Sequence, residues 1–472
     1  MAALLSACAA TAPTTIATRH VPTWAYDDAT VQSVCNGGQG ASPALVDRWL
    51  TYAESNCGPE SLTRKALTDC SQGGVTYCTP VAYVEPNWSY RANARPILGA
   101  CNPSVSPDEP ESWWLHVPGT TTPSPQNRVT TAAGGSGTLL DQTTQAVRAW
   151  FQAYARQCLG GYPALMIDDT GASLAALLFI STGGQNATSE ISGDAGLVAA
   201  HEQLAAALTR ADGSGYLQID NGLSANNSVP PPFPLLGHPA GVRGLIAEGA
   251  PVSGGLITPD AADPPAPDPT FYATLLDELA YVDTRGGDDF IVLLSYDPAG
   301  STSARLIQQA TEMLGYSGAH VVDWANLETG DAAAGDLAVW PEEGIVPTGP
   351  VRSMTAPAGS GCLAGDGAVC TGGGHVDLQV HGAPGVYVRE FHDCYDQGSL
   401  FGPCAAIVND TGAGHTVAPG WLTQTYRSQI SLRGGDVQSG GTVAVDGAPF
   451  AVGSTVIGPW SAMLLAGARG SG

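Results

Sequence analysis

Three times in this chain a short apolar run stops on a carboxylate. Ala164-Leu165-Met166-Ile167 runs into Asp168-Asp169, Leu217-Gln218-Ile219 into Asp220-Asn221-Gly222, and Gly244-Leu245-Ile246-Ala247 into Glu248. A run of this length, bounded by polar residues, reads as a strand buried on both faces. Placing an acid at the edge of such a core costs desolvation free energy, so the acid is expected to be used. Strand after strand delivering a carboxylate at its C-terminal end is how an eight-stranded α/β barrel assembles a site.

The rest of the chain extends the pattern. His20–Asp28, Val81–Trp88, Trp113–Val117, Phe290–Asp297 and Asp336–Trp340 complete a set of eight strands, ending near Asp28, Asn87, His116, Asp169, Asn221, Glu248, Asp297 and Trp340. Helical spacing separates them. Ser42 is a fitting N-cap for a helix through Ala44-Leu45-Val46 and Trp49-Leu50. Leu140, Val147, Phe151 and Tyr154 mark a helix that ends before Gly160-Gly161. Strands alternating with helices imply a parallel sheet, here a (β/α)8 TIM barrel over residues 19–350. A doubly wound open sheet is the alternative, but no GxGxxG opens a helix after the first strand.

After Pro350 the texture changes to Gly-rich loops, two close cysteine pairs and short alternating runs, so residues 351–472 are expected to form an all-β sandwich. Two domains suit a chain of 472 residues. A net charge of −25 with a single lysine, Lys65, excludes nucleic acid and anionic membrane surfaces as partners.

Cys8 stands alone; the other ten of the 11 cysteines include Cys70/Cys78, Cys362/Cys370 and Cys394/Cys404, neighbours in sequence that suggest disulfides without fixing connectivity. Disulfides imply an oxidising compartment. Residues 1–18 read as a signal remnant or a lipoprotein-like tether, with Cys8 a candidate for lipid attachment and the only expected link to a membrane. A secreted, periplasmic or cell-surface location follows. No Cys/His cluster has metal-ligand spacing, no GxSxG elbow is present, and the zinc-protease start His201-Glu202 finds Ala205 where a second His is required. Neither a metal nor another cofactor is expected.

Two carboxylates facing each other across a cleft suit glycosidic bond cleavage, one protonating the leaving oxygen, the other attacking the sugar carbon or activating water. Asp168 or Asp169 and Glu248 are the candidates. Trp24, Asp27, Asp28, Glu85, Asn87, Trp88, His116, Asp169, Asp220, Asn221, Tyr296 and Trp340, at or near strand ends, are the candidate substrate contacts: aromatic faces for sugar rings, polar groups for hydroxyls. A non-catalytic carbohydrate-binding protein and a structural surface protein on the same scaffold are the competing readings.

Met166-Ile167-Asp168-Asp169, Asn221-Gly222 and Gly244 to Glu248 resemble the fourth, fifth and sixth strand motifs of the endo-α-1,4-polygalactosaminidase-like group of retaining barrel glycoside hydrolases and its bacterial relatives. The resemblance covers roughly residues 20 to 350. It implies Asp168 as nucleophile, Glu248 as acid/base and Asp169 as a supporting or binding residue. The disulfides, long insertions and C-terminal β domain depart from that group's simplest members.

Overall fold

The computed structural model describes residues 23–26, 49–52, 79–84, 88–90, 110–117, 119–129, 137–167, 200, 203–224, 242–253, five residues within 272–279, and 290–296, 302–315, 321–324, 341–351, 378–380, 382–396, 399–433 and 441–467. Three strands open the chain: β1 (Thr23–Tyr26), β2 (Trp49–Tyr52) and β3 (Thr79–Val84). An antiparallel pair follows, β4 (Trp88–Tyr90) with β5 (Gly137–Leu139), and then helix α1 (Gln145–Cys158). Next come β6 (Ala164–Ile167), β7 (Leu217–Ser224), β8 (Val242–Ser253) and β9 (Phe290–Tyr296), helix α2 (Thr302–Gly315) and β10 (Val321–Trp324).

Eight of these strands close into a barrel in the order β1-β10-β9-β8-β7-β6-β3-β2. Every pairing in it is parallel. Parallel neighbours need crossovers. Those described are helical: α1 before β6, residues 203–207 before β7, residues within 272–279 before β9, and α2 before β10.

Three local expectations are corrected. Trp49-Leu50 lies in β2, not in a helix: Trp-Leu-Thr-Tyr is an aromatic and β-branched run, and its pairing on both sides overrides the helical spacing upstream. Trp113–Val117 is no barrel strand. Glu111–Trp113 is a 3-10 turn, and Trp114 and His116 make only isolated bridges to Leu140 and Arg128. The eighth barrel strand is Val321–Trp324; Asp336–Trp340 lies outside the described residues. One expected strand is lost ahead of β6 and one gained, so β6 and β8 remain fourth and sixth in the barrel.

The two faces of the barrel strands are distinguishable. Ala247, Ile291 and Leu293 pack with Leu275, Leu276, Ile307 and Ala310 of the helical layer. The alternating residues Ile246, Phe290 and Val292, all buried, therefore fill the interior. Gly244 shares that face: a Cβ there would meet the Phe290 ring at 2.7 Å and Ile219 Cγ2 at 3.1 Å. Gln218 faces the other way, its Nε2 donating to the Ala205 carbonyl at 2.7 Å. On α1, Val147, Phe151, Tyr154 and Ala155 form the buried stripe. The buried Tyr216 hydroxyl donates to the Ala155 carbonyl at 2.8 Å, tying the end of α1 to the entry of β7, and burial pushes its pKa up to about 12.

C-terminal to the barrel lie β11 (Ile345–Pro350), β12 (Val386–Asp396), β13 (Ser399–Asn409), β14 (His415–Thr416), β15 (Tyr426–Gln429), β16 (Ser431–Arg433), β17 (Thr442–Ala444), β18 (Val456–Ile457) and β19 (Ser461–Gly467). An antiparallel sheet runs β11-β12-β13-β19-β15, and β14-β18 and β16-β17 are two-stranded ribbons. Both faces of the five-stranded sheet are covered. Cys404, Ala406, Val408, Leu464 and Ala466 pack with α2 and the 272–279 helix. Ala405, Ile407, Met463 and Leu465 pack with Val417, Phe450 and Ile457 beneath the β14-β18 ribbon. The sheet begins at Ile345, ahead of the change of texture in the sequence. A disulfide links Cys394 to Cys404 across β12 and β13. The other candidate cysteine pairs, and Cys8, lie outside the described residues.

Candidate active site

Strand register places the acid-bearing segments. Met166 is level with Ile219, Ile219 with Gly244, and Gly244 with Phe290, a continuous row across β6 to β9. β6 ends at Ile167, so Asp168 is the next residue and Asp169 follows; both lie outside the described residues, as do Asp27, Asp28, Glu85, Asn87 and Trp340. Glu248 lies within β8, level with Ser224 of β7 and Leu294 of β9. Glu248 is two positions beyond Ile246 and four beyond Gly244.

The strands lose regularity at this level. The register between β7 and β8 shifts between Asp220 and Leu223, and Asn221 falls within that shift. The register between β8 and β9 shifts immediately after Glu248 and resumes at Ser253 level with Tyr296. Bulges of this kind cluster at barrel rims, where they end pairing and re-aim side chains.

Trp24 is level with Trp49 on one side and Trp324 on the other. Three tryptophans on adjacent strands are thus aligned. The expectation had Trp49 in a helix, so this row was not legible until β2 was placed. Trp88 is in β4, level with Leu139, in the insertion between β3 and α1.

Two candidates have fully described side chains. Asp220 is wholly buried and sits two residues from Gln218, on the helix-facing side of β7. His116 lies in the β3–α1 connection, which topology carries to the C-terminal end of the barrel strands. Its Nε2 is 3.0 Å from Glu111 Oε2. The Arg128 guanidinium binds both oxygens of the same carboxylate, with Nε to Oε2 at 2.9 Å, and lies 4.5 Å from the Trp114 ring centroid. Hydrogen bonding from Arg128, then from His116, holds the Glu111 carboxyl below its ordinary value. Glu111 and Arg128 are 17 residues apart, and no local spacing rule links them. The cluster braces the insertion. Among the described residues no group of three or more His, Cys, Asp or Glu is arranged to hold a metal ion.

No protein-family profile matches the chain, and no curated protein matches it. Solved structures similar to it at low identity are glycoside hydrolases. The glycoside hydrolase domain of PelA from Pseudomonas aeruginosa is 16% identical, with 64% of this chain and 98% of that one covered and a TM-score of 0.36. The α-galactosidase from Lactobacillus brevis is 11% identical, with 95% and 55% covered and a TM-score of 0.39; the chain spans about half its length. The GH30 endoxylanase from Clostridium papyrosolvens is 11% identical, with 95% and 97% covered and a TM-score of 0.35. At these scores the likeness carries no chemistry over to this chain.

Proposed function

We propose that the chain is a glycoside hydrolase cleaving glycosidic bonds of an oligo- or polysaccharide, on a (β/α)8 barrel, by a retaining mechanism. The observation that carries this reading is the closed parallel barrel whose fourth strand stops one residue short of Asp168 and whose sixth contains Glu248. Closure directs the C-terminal ends of all eight strands to one rim. Asp168 is two residues beyond Met166 and Glu248 two beyond Ile246 in sequence, and both acids are assigned to the cleft on that alternation alone.

In this reading Asp168 attacks the anomeric carbon, forming a glycosyl-enzyme ester, while Glu248 gives its proton to the leaving oxygen. Glu248 then takes a proton from water as that water attacks the same carbon and releases Asp168. Asp169 supports or binds. Trp24, Trp49 and Trp324, level in register, are the aromatic candidates for sugar contact in this reading.

The test is turnover on a glycan panel with product stereochemistry read by NMR. Asp168→Asn and Glu248→Gln should each slow the wild-type reaction by about 10²–10⁴-fold, with the circular dichroism spectrum unchanged. A near-normal rate in either variant, or a wild-type protein that cleaves nothing in the panel, overturns the assignment.

A further inference from the structure

The turn between β18 and β19 holds a tryptophan where a glycine is the unstrained choice. Its residues are Gly458-Pro459-Trp460-Ser461, and Trp460 has φ 46°, the one positive value outside glycine among the described residues. Proline followed by a residue of positive φ is the pattern of a type II turn, whose third position favours glycine because a Cβ crowds the following carbonyl.

The conformation is held from outside the turn. Asn409, fully buried, donates from Nδ2 to the Gly458 carbonyl at 2.6 Å and to the Ala413 carbonyl at 2.7 Å. Its Oδ1 accepts from the Thr411 backbone N–H at 3.1 Å and from the Thr411 hydroxyl at 2.8 Å. The Trp460 N–H donates to the Thr411 carbonyl at 3.0 Å. Strained backbone persists where its surroundings over-determine it, and such sites concentrate at binding positions.

What the strain presents is a half-buried indole beside a bare loop. Gly412, Ala413 and Gly414 are exposed. A Cβ at Gly412 would lie 3.4 to 3.7 Å from the Trp460 ring, and one at Gly414 would lie 3.5 Å from Val456 Cγ1. The indole and the 56%-exposed Val456 therefore flank one segment whose largest side chain is the Ala413 methyl. Thr411 and His415, both half-buried and 3.1 Å apart, stand at its edge with hydrogen-bonding atoms. A flat apolar surface rimmed by a hydroxyl and an imidazole matches one face of a pyranose ring, whose C–H groups lie on that face and whose hydroxyls lie at its edge.

We propose that the Trp460 corner is a carbohydrate-binding site on the C-terminal sheet, with the indole stacked on a sugar ring and the His415 imidazole, braced by the Thr411 hydroxyl, at its hydroxyls. The site does not require the barrel to be catalytic. Depletion binding of the full chain to insoluble cellulose, chitin, xylan and starch tests it, with Trp460→Gly and Trp460→Asn as variants, since both residues accept a positive φ. The expected result is retention of the wild type on at least one of the four. Both variants should bind that polysaccharide at least tenfold more weakly, with a thermal midpoint equal to or above that of the wild type. Retention of the wild type on none, or equal retention of both variants, overturns the proposal. So does a wild-type chain that binds none and self-associates in sizing experiments where Trp460→Gly does not; the corner is then an interface between copies.

Discussion

The guanidinium of Arg305 on α2 clasps the carboxylate of Glu342 with two nitrogens, and neither side chain is more than 8% exposed. Glu342 lies in the 3-10 turn Pro341–Gly344 that leads directly into β11. The pair therefore fastens a barrel helix to the start of the C-terminal sheet. Removing one partner leaves a buried charge uncompensated, at about 3–5 kcal/mol. Glu342→Gln or Arg305→Met should lower the denaturant midpoint accordingly. Arg305→Met with Glu342→Leu should recover much of the loss, which equilibrium unfolding of the three variants measures.

The sheet covers the face of α2 that the barrel strands leave open. From Ala304 to Gly315 all but one residue of α2 is buried, with Leu306 partly so, and its neighbours include both barrel strands and β12, β13 and β19. Arg389 donates to the Leu314 carbonyl, and the Tyr272 and Tyr387 rings pack 5.3 Å apart across the same junction. A chain ending at residue 340 would expose this apolar surface. It should express as aggregate or lack a cooperative thermal transition, whereas the full chain melts in one; calorimetry of the two distinguishes them.

Gly244 admits no side chain. Its Cβ position lies 2.7 Å from two atoms of the Phe290 ring, and that ring is fully buried. Gly244→Ala should destabilise by about 1–3 kcal/mol, the usual range for overpacking. Because Gly244 and Glu248 share β8, turnover should fall as well, at a midpoint that still leaves the protein folded at assay temperature. Paired measurements of thermal midpoint and rate check this.

The Glu111 carboxyl supplies a pH dependence of known sign. Arg128 and His116 favour its ionised form, so its folded pKa lies below the ordinary 4.5. Its contribution is complete above about 4.5 and is lost as pH falls through the folded value. Glu111→Gln should remove that segment of the stability curve and leave the acid limb flatter, in thermal midpoints taken across pH 4.5.

The Cys394–Cys404 link closes a span of 10 residues within one hairpin. Chain-entropy arguments give about 2–3 kcal/mol for a loop of that size. Replacing both by serine should lower stability by that order, and peptide mapping without reduction should recover the two cysteines joined.

Much of the barrel was legible because parallel strands buried on both faces leave short apolar runs, and β6, β8 and β9 were found where such runs stand. Trp49–Tyr52 was missed because four residues are too few for any period to register. Its strand identity comes from pairing with β1 and β3. Trp113–Val117 misled in the opposite sense: Trp114 is buried by Leu140, Val147 and the Arg128 guanidinium rather than by strand neighbours. In the C-terminal sheet, Ala405-Ala406-Ile407-Val408 pointed to a strand, but only the packing of α2 on one face accounts for its lack of polar residues. At the candidate site, the order of β6 and β8 along the barrel followed from sequence. The burial of Asp220 did not, because a carboxylate at the end of an apolar run looks the same whether it faces the cleft or the helix layer.

The bulge in β7 changes how the cleft must be engineered. A two-residue count that keeps step with β6 from Leu217 to Asp220 is out of step with β8 by the time Leu223 meets Ala247. Anyone choosing positions by odd and even numbering would, past Asn221, alter residues on the wrong surface of the strand. Libraries aimed at substrate preference should restart their numbering at Leu223.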